Sequence, residues 1–112
     1  MRLRSDIWVA AYLRRTAVEG AYAVLRKRGA AEAGAIYVLV DRGDGLTALF
    51  APGPADIDGS GERRWMRAHA AEWVDAIVNE AQMTRELNID PDLWLVEVES
   101  RDGSHWLNLL SN

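Results

Sequence analysis

The chain contains no cysteine, one lysine (Lys27), one phenylalanine and three prolines, and no apolar run long enough to cross a bilayer. Without cysteine there are no disulfides, iron–sulfur clusters, thiolate zinc sites or cysteine nucleophiles, so the core alone must hold the fold. No run of apolar residues approaches the roughly 18 a membrane helix needs. The start, Met1-Arg2-Leu3-Arg4, leads into Ser5-Asp6 and not into the apolar core of a signal peptide. A cytoplasmic location is therefore expected. What is present is 49% apolar and 27% charged residues over 112 positions, the balance of one globular domain, expected to span residues 1–112.

Charge is segregated along the chain. Residues 1–28 carry seven Arg/Lys against two acids, residues 29–71 four against six, and residues 72–112 two against nine. This polarity allows either pairing between the two ends in the fold or two faces of opposite sign.

Ser5 is placed to cap a first helix running to about Val18, with Asp6 at its positive end, Arg14 and Arg15 toward the other, and Gly20 as the stop. Ile7 through Leu13 is apolar nearly all round. Such a helix either is buried on two sides or carries an apolar strip to a partner. Tyr22-Ala23-Val24-Leu25, Ala35-Ile36-Tyr37-Val38-Leu39-Val40 and Leu46-Thr47-Ala48-Leu49-Phe50 read as three strands, linked by residues 29–34 and by the turn Arg42-Gly43-Asp44-Gly45. Links this short predict an antiparallel meander. Residues 51–61 hold two prolines and three glycines and read as a surface loop, and residues 62–67 as a short edge strand. Ala70, Trp73, Val74, Ile77, Val78 and Ala81 form one apolar helical stripe, predicting a second helix that ends near Leu87 before Asp90-Pro91. Residues 93–99 read as a strand, 101–104 as a turn and 105–107 as a last short strand. The expected architecture is α+β: two helices packed on a mainly antiparallel sheet in the order α-β-β-β-(β)-α-β-β.

No complete catalytic set is found. His69 and Glu72 share a helical face, but one His-x-x-Glu is common by chance and makes no metal site. Asp102, Ser104 and His105 are the residue types of a hydrolytic triad, yet neighbours in a tight turn point in different directions. Gly43-Asp44-Gly45 and Gly59-Ser60-Gly61 lack the strand-to-helix setting that cradles phosphate. The helix, meander, helix, strand order resembles the restriction-endonuclease-like core, whose enzymes carry an acid and an acid-x-Lys pair on central strands. Here the third strand has neither acid nor lysine. No catalytic residue, metal ligand or cofactor is expected.

Two function classes stay open. One is a non-enzymatic interaction or regulatory protein that dimerises or binds a protein partner through the first helix or a sheet edge. The other is a nucleic-acid-binding module using Arg26, Lys27, Arg28, Arg63, Arg64, Trp65 and Arg67, which requires those residues to form one face. Trp65 among arginines suits stacking on single-stranded bases, and equally suits a guanidinium packed on a core-edge indole. Trp73 and Trp94, on apolar faces, are expected in the core.

The segments Arg2-Leu3-Arg4-Ser5-Asp6-Ile7-Trp8-Val9-Ala10-Ala11, Arg28-Gly29-Ala30-Ala31-Glu32-Ala33-Gly34-Ala35-Ile36 and Asp90-Pro91-Asp92-Leu93-Trp94-Leu95-Val96-Glu97, taken in this order, resemble the bacterial family called domain of unknown function 1491. The resemblance implies a small cytoplasmic bacterial protein of one domain. It brings no activity, ligand or catalytic residue with it.

Overall fold

The computed structural model describes residues 2–54 and 61–110. Most of the loop expected at 51–61 lies outside the described residues. The elements are α1 (Ser5–Val18), β1 (Tyr22–Lys27), β2 (Ile36–Asp41), β3 (Leu46–Pro52), β4 (Trp65–Arg67), β5 (Val74–Asp75), α2 (Ala76–Ile89) and β6 (Trp94–Glu99). The α+β class and two helices on a mostly antiparallel sheet are as expected. Helix α1 has the expected bounds, and Gly20 follows it at φ +85°.

The sheet order is β1-β6-β2-β3-β4, with β5 on the start of β3. The meander is thus corrected at one joint: β6 lies between β1 and β2, antiparallel to the first and parallel to the second. The reason is apolar content. Strand β2 is apolar on both faces up to Asp41 and β6 on its even-numbered face and at Leu95, and both are mostly buried, as central strands must be, whereas β1 alternates between exposed and half-buried and suits an edge. Residues 29–34 therefore do not close a hairpin but pass over the start of β6. There Ala30 N–H donates to Asp92 O (2.8 Å), Trp94 Nε1–H to Ala30 O (2.8 Å) and Trp94 N–H to Ala35 O (2.8 Å).

Each helix covers one face. Val9 and Tyr12 of α1 pack on Ile36, Val38, Val40, Phe50, Trp94, Val96 and Val98. On the other face Met83 of α2 meets Leu39, Leu49, Leu93 and Leu95. Alternation along β2 and β6 sends even-numbered residues to the first layer and odd-numbered ones to the second. Ser5 does not cap α1. It is the first helical residue, buried, with Oγ–H donating to Gly34 O (2.7 Å), while its own amide and that of Asp6 donate to Glu32 O and Ala31 O. The crossing loop thus satisfies the helix N-terminus. The apolar circumference of α1 resolves as one buried side, with Ile7 and Val18 left exposed.

Helix α2 departs from its expected stripe. It starts at Ala76, because Val74 and Asp75 pair with Thr47 and Leu46 as β5. Ile77 is 77% exposed and Val78 42%, and the buried residues are Asn79 and Met83. The face is set by a polar anchor: Asn79 Nδ2–H donates to Thr47 Oγ1 (2.8 Å) and its Oδ1 meets His69 Nε2 (2.8 Å). Trp73, off the helix, is half-buried with the Arg42 guanidinium 4.6 Å from its ring centre. Residues 105–107 form no strand; beyond them Leu109 makes an isolated parallel bridge to Trp65.

Candidate interaction surface

The expected basic residues fall at the two ends of the sheet. Arg26 and Lys27 lie on β1 with Arg28 just after it; Trp65 and Arg67 lie on β4 with Arg63 and Arg64 just before it. Four strand spacings, about 19 Å, separate those edges. The seven residues therefore fall in two separate groups and not in one contiguous patch.

Arg26 is the hub of the first group. Its Nη2 sits 2.7 Å from Glu80 on α2 and its Nη1 3.0 Å from Glu97 on β6. Glu80 holds the guanidinium proton more firmly and is itself held below the usual carboxylate range by Arg26. The basic first quarter of the chain thus pairs here with the acidic last third. Lys27 Nζ donates to Arg28 O, Pro91 O (2.7 Å) and Leu93 O. The Arg28 guanidinium lies 5.1 Å from the Trp94 ring centre.

In the second group Trp65 is a core residue, 2% exposed, with Nε1–H donating to Ile36 O (2.9 Å) and Trp8 packed on it at 4.6 Å. Its indole offers no free face for a base. Arg63 donates to Leu3 O (2.9 Å) and Ser5 Oγ (3.1 Å), Arg67 pairs with Glu72 (3.3 Å), and Arg64 precedes β4 with an interaction of its own.

The histidines are apart in role. His69 holds Asn79, whereas His105 packs on Phe50 (4.7 Å) and its Nδ1 accepts from Leu107 N–H (3.0 Å). Asp102 Oδ1 accepts from Ser100 Oγ–H and Ser104 N–H, which describes a turn. Among the described residues no three His, Cys, Asp or Glu side chains gather as a metal site, and no helix is long and apolar enough to cross a membrane.

Burial lowers the His105 pKa, Glu72 opposes this and Arg67 adds to it. The folded chain therefore keeps the imidazole neutral to lower pH than the unfolded chain, which protonates it near its ordinary value of about 6.5. Stability is expected to be full above that pH and to fall as pH drops through and below it. Urea midpoints at pH 8 and pH 5.5 check this, and His105→Gln is expected to flatten the difference. The Glu80 contribution is lost only at lower pH, below its ordinary 4.5.

What distinguishes the two sheet edges is their cover. At β4 the chain caps its own edge: Trp65 N–H donates to Asn108 O (2.9 Å) and Leu110 N–H to Trp65 O (2.9 Å). At β1 no strand pairs with the outer side among the described residues. Along it, Tyr22 is 59% exposed and Val24 36%, followed on the same side by exposed Arg26.

The family model for the protein of unknown function DUF1491 matches residues 3–108. The crystal structure of a DUF1491 family protein from Caulobacter crescentus CB15 is similar, with 38% identity, 99% of this chain and 100% of that chain covered and a TM-score of 0.80. An NMR structure of a DUF1491 family protein from the same organism gives 41% identity, 99% coverage of each chain and a TM-score of 0.80. The solution structure of protein Atu0922 from A. tumefaciens gives 34%, with 100% of this chain and 98% of that chain covered and a TM-score of 0.83. No curated protein matches the chain. The family that the three sequence segments resemble is the one that matches over nearly the whole length, and the chain belongs to it: DUF1491, a family of bacterial proteins.

Proposed function

We propose that the chain is a non-enzymatic interaction protein that associates with a second copy of itself along β1. The observation that carries this reading is the unequal treatment of the two edges, one capped by the chain's own residues 108–110 and the other without a paired strand among the described residues. An open strand edge presents unpaired amides and carbonyls that template another strand.

The residues on β1 suit a self-complementary pairing. Opposed residues in an antiparallel pair share a face, so Tyr22, Val24 and Arg26 must face one another across the junction. A two-fold axis through Val24 does this: Val24 meets Val24, and Tyr22 of each copy lies opposite Arg26 of the other. An apolar pair is thus flanked by two aromatic–guanidinium pairs, both favourable across strands. Two strands of six residues bury little area, so the dimer is weak and depends on concentration.

Light scattering over a dilution series tests it. The wild-type chain is expected to pass from monomer to dimer mass as concentration rises. Val24→Lys sets two ammonium groups against each other at the axis and is expected to hold the chain monomeric at every concentration. Because Val24 is at the exposed edge, its melting temperature should stay within about 2 °C of wild type at monomeric dilution. A wild type that stays monomeric throughout, or a Val24→Lys variant that dimerises equally, overturns the reading.

A further inference from the structure

Residues 105–110 form a strap that runs from α1 to the outer side of β4. At one end Tyr12 Oη–H donates to His105 O (2.7 Å). At the other, Trp65 N–H donates to Asn108 O, Leu110 N–H to Trp65 O (both 2.9 Å), and Asn108 Nδ2–H to Glu62 (3.3 Å). Between these ties lies Trp106 at φ +56°, the one non-glycine residue at positive φ among the described residues. A bulky side chain in this region is strained and persists because its surroundings hold it there.

His105 sets the turn that leads into the edge pairing. Its Nδ1 accepts from Leu107 N–H (3.0 Å), so the neutral ring carries its proton on Nε2. A second proton goes to Nδ1 and sets a donor against a donor, which ends that bond. The groups around the ring do not offset this. Phe50 of β3 packs on it at 4.7 Å, and the α1 hydroxyl of Tyr12 is spent on the backbone carbonyl. Arg67 of β4 and Glu72 act on the ring with opposite sign and are paired with each other at 3.3 Å. Asp102, on the same segment, accepts from Ser100 and Ser104. Burial disfavours the charged ring while the strap is closed.

We infer that the strap is a pH-sensitive latch: protonation of His105 breaks the 105–107 turn and releases residues 108–110 from β4, leaving a second edge of the sheet unpaired. The proton favours the released form. The latch is therefore shut above the ordinary imidazole value of about 6.5 and opens as pH falls below it. The inference does not rest on association through β1.

The test is backbone amide order parameters from nitrogen-15 relaxation at monomeric dilution, at about pH 7.5 and about pH 5. Leu107, Asn108, Leu109 and Leu110 are expected near 0.85 at the higher pH, the value of rigid backbone, and below about 0.6 at the lower. Ala68, whose amide binds Leu49 O on the inner side of β4, should stay near 0.85 at both. The midpoint should coincide with the titration of the His105 ring protons. The other histidine, His69, lies beside Leu109 and Leu110 with its Nε2 on Asn79 Oδ1, so a second variant separates the two. In His105→Asn the side-chain oxygen can accept from the amide two residues on and does not titrate, so the strap should stay rigid at both pH values. A wild-type strap that is rigid at pH 5 overturns the inference. So does loosening that includes Ala68, a midpoint that follows His69, or a His105→Asn strap that still loosens in acid.

Discussion

Trp94→Ala is expected to cost about 3–5 kcal/mol of stability, the largest effect of any single truncation in this chain. Trp94 is 1% exposed and starts β6, the strand on which both halves of the sheet meet. Its ring packs in the α1-side core, its Nε1–H donates to Ala30 O, and Arg28 covers its face. Truncation leaves a cavity at the centre and removes one of the two hydrogen bonds to the Ala30 carbonyl, which then keeps only that from Gly34 N–H (3.2 Å), in the loop that also binds the α1 amides. For a domain of this size such a loss lowers the melting temperature by about 15 °C. Urea unfolding checks it, with the midpoint lowered and the slope unchanged. Trp94→Phe, which keeps most of the ring volume but not the N–H, should cost about 1–2 kcal/mol. If the alanine variant lost less than the phenylalanine one, the crossing loop would not depend on this side chain.

Gly29→Ala is expected to be nearly as damaging, by about 3 kcal/mol. Its φ is unremarkable, so the reason is space: a Cβ there would meet Asp92 O, the Leu93 carbonyl carbon and the Trp94 ring. Two of those are backbone of the strand start and cannot swing aside. Gly20→Ala is the informative contrast. At Gly20 nothing lies within 4 Å of the added methyl, and the cost comes only from its positive φ. Thermal melts of the two variants should therefore rank Gly29→Ala well below Gly20→Ala. The reverse order would mean that the crossing loop sits further from β6 than the structure has it.

These two residues also explain what the sequence hid. Gly29 and Gly34 look like the ends of a hairpin loop, and a short link between two strands normally is one. Here they are glycines because the backbone of β6 passes against them, and nothing in residues 29–34 alone distinguishes the cases. The difference appears only in the fold: four of the five residues 94–98 are buried and none of residues 22–27 is, although each strand holds two charged residues. Local signals were readable where local physics decides, as in the bounds of α1, the positive-φ stop at Gly20 and the Gly43 and Gly45 turn. Where a polar group decides, apolar periodicity misled: Asn79 turns α2 so that Ile77 faces water. Trp65 shows the same limit, since arginines before and after it in sequence do not tell whether the indole points out or in. Of the seven expected binding residues, Arg26 alone lines the face offered at β1, and there it serves as the bridge from α2 to β6.

The central claim, association through β1, is tested most directly by amide hydrogen exchange across residues 22–27 at low and high protein concentration. Amides on the outer side of β1 are expected to exchange freely when dilute and to become protected as concentration rises, alternating along the strand, while those of β4, already capped by residues 108–110, stay unchanged. Exchange on β1 that is the same at both concentrations would contradict the account.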